Sequence, residues 1–304
     1  MKALFLIFHD LDPANGISKK ILAQVQALSD NGWEVHLCYL RENVSVKCRI
    51  VDEQIIADYG ISFKGKTRKR LEYKSVTDYV VNQHIEFVYI RSNHNANPFT
   101  IRMLRRMKKA GIRTVMEIPT YPYDQEYITP FMKMELFIDR CFRKKMARLL
   151  NAIVTFSDYK MIFGAPAIQI SNGIDFTKIP LKIRINDISH ELHLIGVAEV
   201  HYWHGYDRLV RGLAEYYNQE QTYKVYFHIV GDLTGQRERN EILPVIAEHH
   251  LTPYIIFHGR QHSTALDQLF EQCDFGIGSL GRHRSGIDKI KTLKNREYAA
   301  RGIP

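Results

Sequence analysis

The residues best suited to chemistry crowd the end of the chain. Ser279-Leu-Gly-Arg-His-Arg-Ser-Gly286 is a glycine-rich basic loop, and Lys289, Lys291 and Lys294 follow it closely. A single acidic side chain, Glu297, stands among these bases one helical turn after Lys294. Glycines after a strand and before a helix let the backbone approach an anion, and the helix start presents free N–H groups to it. Cations on phosphates beside a carboxylate that accepts from a ribose diol are what a nucleoside diphosphate needs. The same residues also suit an exposed basic helix over a sheet, and composition alone does not separate the two.

The elements that must hold this loop are legible from periodicity. Residues 255–257 read as a strand ending in His258-Gly259, 263–272 as a helix, 274–278 as a second strand and 291–301 as a polar helix. The same alternation runs through the rest of the chain. Residues 3–8 form an unbroken apolar strand of the kind buried in a parallel sheet, and a loop ending in Asn15-Gly16 leads to a helix over 17–28 and a strand over 34–40. This is not G-x-G-x-x-G, so a dinucleotide fingerprint is absent. After a less regular stretch from 44 to 72, helices are expected at 72–82 and 100–110, and strands at 87–91, 113–118 and 152–156. The basic run at 64–70 reads most simply as a solvated loop. Residues 176–188 lack a clean period and resemble an interdomain link. Strands at 192–197 and 224–230, with helices at 206–215 and 238–249, complete the second half. The expectation is an α/β protein of two doubly wound, Rossmann-like domains, 1–178 and 179–304, facing each other across a cleft.

Composition narrows the classes. The chain has 304 residues, 45% hydrophobic, which suits two cores and excludes a disordered protein. Its four cysteines, Cys38, Cys48, Cys141 and Cys273, have no metal-ligand spacing and read as thiols of a reducing compartment. The start shows no signal peptide and no run approaches a membrane span, so a cytoplasmic protein is expected. A net charge of +9 asks for an acidic partner. Nucleic acid would account for the charge, but no DNA- or RNA-binding module is present. The helix expected over 131–150 is apolar at spacings of three and four, with Arg140, Arg143, Lys144, Lys145 and Arg148 on its other face. Such a helix either lies peripherally on an anionic membrane or forms the outer layer of a domain.

Taken in order, several short motifs resemble glycosyltransferase family 4, retaining enzymes of the GT-B fold. Ser171-Asn-Gly-Ile-Asp175 is similar to the family's domain-junction motif, His228-Ile-Val-Gly-Asp232 to its Val-Gly-Asp strand end, and Phe257-His-Gly259 to its Phe-x-Gly. Glu297-Tyr-Ala-Ala-Arg-Gly-Ile-Pro304 resembles its Glu-Ala-Met-Ala-x-Gly-x-Pro. The Asn15-Gly16 loop and residues 117–124 look like those of bacterial capsule and exopolysaccharide transferases of that family.

The resemblance implies metal-independent transfer of a hexose, without a cofactor, from a UDP- or GDP-linked donor to a growing surface glycan or a lipid-linked acceptor. It places Glu297 on the ribose, Lys294 on the diphosphate with Lys289 or Arg284 behind it, and Gly16 close to the same phosphates. His204, Gly231, Asp232 and Gly286 fall in the donor-binding loops. Where the family carries a first glutamate this chain has Lys289, with Asp288 beside it as the substitute carboxylate. His204 stands where a permanent cation is usual. Glu117 occupies the region of a family histidine, and either touches donor sugar or acceptor or caps a strand end. Family members continue beyond the position of Pro304, so the second domain is expected to be truncated. Two other readings share this fold: a non-catalytic binding subunit and a nucleotide-sugar epimerase.

Overall fold

Buried parallel strands account for most of the apolar runs. In the computed structural model, which describes residues 1–12, 16–43, 46–92, 96–287 and 289–304 (Lys66 by its backbone only), the chain divides into two units, Met1–Ile170 and Ser171–Pro304. The division falls after residue 170 rather than 178. Asn172 donates to the Lys291 carbonyl at 2.6 Å and Arg296 donates to the Ser171 hydroxyl, which fastens this motif to the second unit.

The first unit runs β1 (Lys2–Leu6), α1 (Gly16–Asp30), β2 (Glu34–Glu42), β3 (Lys47–Val51), β4 (Gln54–Asp58), α2 (Phe63–Leu71), α3 (Lys74–Asn82), β5 (Phe87–Arg91), α4 (Pro98–Lys109), β6 (Arg113–Ile118), α5 (Pro130–Ala147), β7 (Ala152–Thr155), β8 (Met161–Ile162) and β9 (Ala165–Gln169). They form one sheet in the order β4-β3-β2-β1-β5-β6-β7-β9-β8. Pairing is parallel from β2 through β9, and antiparallel where β3, β4 and β8 extend the edges. Both faces of β1 are covered. Leu4 and Leu6 pack into the core beneath α3 and α4, while Phe5 and Ile7 pack with Ile21 of α1, as the two-residue repeat of a strand requires.

The basic run at 64–70 is a helix, not a loop. The Ser62 hydroxyl accepts from the Gly65 N–H at 3.3 Å and so caps α2. The apolar flanks Phe63 and Leu71 remain largely exposed.

The second unit contains β10 (Glu191–Val197), α6 (Tyr206–Tyr217), β11 (Lys224–Val230), α7 (Gln236–Glu248), β12 (Ile255–Gly259), α8 (Ser263–Gln272), β13 (Phe275–Gly276) and α9 (Leu293–Ala300). Its sheet is parallel, in the order β12-β11-β10-β13. The aperiodic stretch before β10 is a strap along this unit rather than a free link. Lys182 N–H donates to the Arg301 carbonyl at 2.9 Å, and Asn186 donates to Asp274 at 2.7 Å. The Ile183 and Arg184 N–H groups donate to the Glu271 carboxylate.

One seam of this sheet is polar. His193, His228 and His258 lie across β10, β11 and β12, with ring nitrogens 2.8 Å and 2.9 Å apart. The Glu191 carboxylate lies 3.4 Å from His193 Nε2 and favours a hydrogen there, which makes His193 Nδ1 an acceptor. His228 then donates from Nε2 and accepts at Nδ1 from His258. Burial together with the neighbouring imidazoles pushes the His228 pKa down to about 4. No described helix is long and apolar enough to cross a membrane.

Candidate functional site

The loops that leave the carboxyl ends of β10 and β13 are pressed together backbone to backbone. Gly205 has φ +67°, and a Cβ there would lie 2.5 Å from Gly281 N. Only glycine meets both demands. The Leu280 N–H donates to the His204 carbonyl at 2.8 Å, and Arg208 donates to the Leu280 carbonyl. On the other side, Gly231 at the end of β11 has φ +124°, and a Cβ would collide with the Ala198 carbonyl at 1.9 Å. Glu238 of α7 accepts from the Tyr202 N–H at 2.7 Å and fixes the β10 loop from beneath. The result is a rigid crown of backbone over the parallel sheet, where ligands of open α/β sheets bind.

Two tyrosines fix the helices behind this crown. Tyr206, at the start of α6, lies over Gly196, and Tyr298 of α9 lies over Gly276, since a Cβ on either glycine would run into the ring. The Tyr298 hydroxyl also accepts from Val197 N–H at 3.0 Å.

Lys294, at the start of α9, is held against these residues. Its ammonium donates to the Tyr206 hydroxyl at 3.4 Å and stands 5.4 Å from the centre of that ring. No carboxylate pairs with it among the described residues. Burial, reinforced by the Arg282 charge, pulls its pKa down to about 7. A desolvated ammonium without a counter-ion, at a helix start and beside glycine loops, is set for an anion.

His204 differs from its expected role. Its Nδ1 accepts from the His201 N–H at 2.9 Å, so the ring hydrogen is on Nε2. Burial first, then the Lys294 charge, pushes its pKa down to about 2. His204 is therefore a neutral Nε2–H donor over the whole physiological range, not a titratable cation.

Arg284 is also committed elsewhere. Both of its terminal nitrogens grip the Asp207 carboxylate at 2.8 Å, and one also donates to the Tyr202 carbonyl at 2.9 Å. It ties the two loops together instead of presenting a charge to phosphate. Asp207 was not foreseen, because it becomes a partner only through a contact 77 positions along the chain.

Glu297 follows Lys294 by one turn of α9. Its Oε1 accepts from Arg301 at 3.0 Å, while Oε2 has no protein partner among the described residues. Arg301 is itself shared with Asp267 at 2.7 Å, so the glutamate is oriented and keeps one oxygen open. Asp232 pairs with Arg260 at 2.9 Å beside an open pocket of about 470 Å³ that Thr234, Arg239 and Leu243 also line. Gly286 ends the Arg282–Ser285 turn with φ +70°, and Lys289 lies exposed beyond it. Asp288 and Asn15 lie outside the described residues.

In the first unit, Gly16 opens α1, and a Cβ there would meet nothing within 4 Å. Glu117, by contrast, is completely buried at the end of β6. Oε1 accepts from Lys20 at 3.3 Å and from Arg91, and Oε2 accepts from Gln24 at 2.9 Å and Tyr89 at 2.7 Å. These donors hold its pKa below the usual carboxylate range against the opposing effect of burial. Four donors saturate the carboxylate, and it has no surface to offer a substrate.

No known protein-family model matches the chain, and no curated protein does. Solved structures do. A sucrose-phosphate synthase from Thermosynechococcus elongatus superposes on all of this chain and 79% of its own, with TM-score 0.64 at 12% identity. HepE of Anabaena in complex with UDP covers the same shares, with TM-score 0.58 at 15% identity. The fold is that of GT-B glycosyltransferases. UDP-GlcNAc 2-epimerase from Methanocaldococcus jannaschii shares it over 91% of this chain and 78% of its own, with TM-score 0.50 at 9% identity.

Proposed function

We infer that the chain is a sugar transferase whose second unit binds a nucleotide-diphosphate sugar, UDP-linked in the first instance. The observation that carries this reading is Lys294, a partly buried ammonium with no counter-ion among the described residues, at the mouth of the glycine-stitched loops. The UDP held by HepE supports the choice of base. In the proposed reaction the bond between sugar C1 and the diphosphate oxygen breaks, an acceptor hydroxyl oxygen bonds to C1, and the acceptor proton is released. Negative charge grows on the departing diphosphate. The Lys294 ammonium and the His204 Nε2–H are the donors that would meet it, without a metal ion. The open Oε2 of Glu297 would accept from the ribose diol.

The order of the motifs supports retention of anomeric configuration, membership of glycosyltransferase family 4, and a surface glycan or lipid-linked acceptor of the capsule or exopolysaccharide kind. Glu117 has no contact role in this scheme and acts as the anchor of the first unit.

The test is a thermal-shift titration of the full chain against UDP, GDP, ADP and dTDP. A saturable rise with UDP, lost in Glu297→Ala, is expected. No rise with any nucleotide would overturn the reading and leave the non-catalytic subunit. The epimerase reading draws on the same fold. It requires a changed sugar nucleotide in the absence of acceptor, whereas a transferase consumes its donor productively only when acceptor is added.

A further inference from the structure

The outer face of α5 is apolar as well as its inner face. Leu136 and Met146 are buried beneath the helix, as expected for a domain's outer layer. Yet Met134 (54% exposed), Phe137 (68%), Ile138 and Cys141 run along the opposite side at spacings of three and four. Lys133, Arg140 and Lys144 border this stripe on one flank, and Lys145 and Arg148 continue it at the carboxyl end of the helix. The helix α2 lies beside the start of α5. Arg70 reaches Glu135 at 3.4 Å and stands over the Phe131 ring at 5.9 Å, and Phe63 of α2 is 82% exposed. Between Phe63, Thr67, Arg68 and Leu71 the surface dips into an apolar depression of about 570 Å³. Water-exposed apolar surface of this extent on two neighbouring helices is costly and marks a docking face.

We propose that α2 and α5 together form a docking face for a bilayer rich in anionic phospholipid. The charges choose the occupant. Lys64, Arg68, Lys133, Lys144, Lys145 and Arg148 have no carboxylate partner among the described residues, although Arg140 and Arg143 nearby share Asp124. A second copy of the chain seated symmetrically on the same stripe would set these cations against each other. Anionic headgroups neutralise them, and the aromatic and methionine side chains then enter the acyl boundary. At 18 residues, α5 is about 27 Å long, enough to lie along the surface and too polar to cross it. The proposal does not depend on the glycosyl-transfer reading, since it uses none of its residues.

The test is co-sedimentation of the full chain with vesicles of phosphatidylcholine alone and with phosphatidylglycerol added. Binding is expected only to the anionic vesicles and should weaken as salt rises. The pair Lys144→Gln and Lys145→Gln should lose about fivefold per cation removed. Phe137→Ser should lower binding at every salt concentration while the far-ultraviolet spectrum and melting temperature stay in place. Equal binding to both vesicle types, or anionic binding that both variants leave intact, overturns the proposal. So does concentration-dependent self-association abolished by Phe137→Ser without vesicle binding, which would make the face a contact between copies. Capture by an acidic protein alone would likewise overturn it.

Discussion

Glu117, fully buried at a strand end, and Lys294, partly buried at a loop mouth, are desolvated charges of two α/β units, and they differ in how they are paired. Glu117 receives four donors, two of them cationic, so its charge is spent on holding β5, β6 and α1 together. Among the described residues Lys294 has a long contact to the Tyr206 hydroxyl and no carboxylate partner. A folded chain tolerates a desolvated charge when its own side chains compensate it, or when a ligand does. The first situation marks architecture and the second a place suited to an anionic ligand. Both residues looked catalytic in the sequence; the pairing of their charges separates them.

The comparison can be broken most severely at Glu117. Glu117→Ala leaves Arg91 and Lys20 buried without their counter-charge and should destabilise the first unit by about 3–5 kcal/mol, read from denaturant melts. Any UDP-induced thermal shift should survive at temperatures where the variant is folded. Lys294→Ala should do the reverse. Turnover should fall about a hundredfold to a thousandfold, while melting temperature stays level or rises, because an unpaired desolvated ammonium has been removed. A large loss of stability in Lys294→Ala with unchanged turnover would invert the roles assigned to the two residues.

The pH dependence sharpens the same contrast. Burial and the Arg282 charge pull the Lys294 pKa down to about 7, and the proposed phosphate contact uses its protonated form. Affinity for UDP should therefore be greatest below pH 7 and fall by up to about tenfold per unit above it, whereas Lys294→Arg should flatten that limb. Stability of the unliganded chain should move the other way. The unfolded lysine holds its proton up to its ordinary value of 10.5, so this group adds stability as pH rises from about 7 toward 10.5. Isothermal titration and melts across that window test both signs.

The smallest effect concerns the histidine seam. His228 has its folded pKa lowered to about 4, so its contribution is fully present above the unfolded value of 6.5 and is lost as pH falls from there toward 4. The slope should not exceed about 1.4 kcal/mol per pH unit, and His228→Gln should reduce it.

The strand and helix order was legible because it rests on local periodicity. Residues 3–8 and 224–230 could only be buried strands, and the glycines at 205 and 231 mark turns in any reading. What local pattern does not carry is pairing between distant segments. Arg284 looked like a phosphate ligand until Asp207 met it, and His204 looked like a titratable stand-in for a cation until the His201 N–H fixed its tautomer. The run at 64–70 looked like a loop because charge density says nothing about a serine cap two residues before it. Glu117 shows the limit most clearly, since the four donors that saturate it come from α1 and β5, far from it in the sequence.

The contact between Gly205 and Gly281 has a consequence for descent. Two loops that touch through bare backbone leave no side chain to absorb a change in the length of either one. An insertion in the β10 loop would lift it off its neighbour unless the β13 loop lengthened in step. Relatives of this chain should therefore inherit the two loop lengths as a matched pair, and diversify elsewhere.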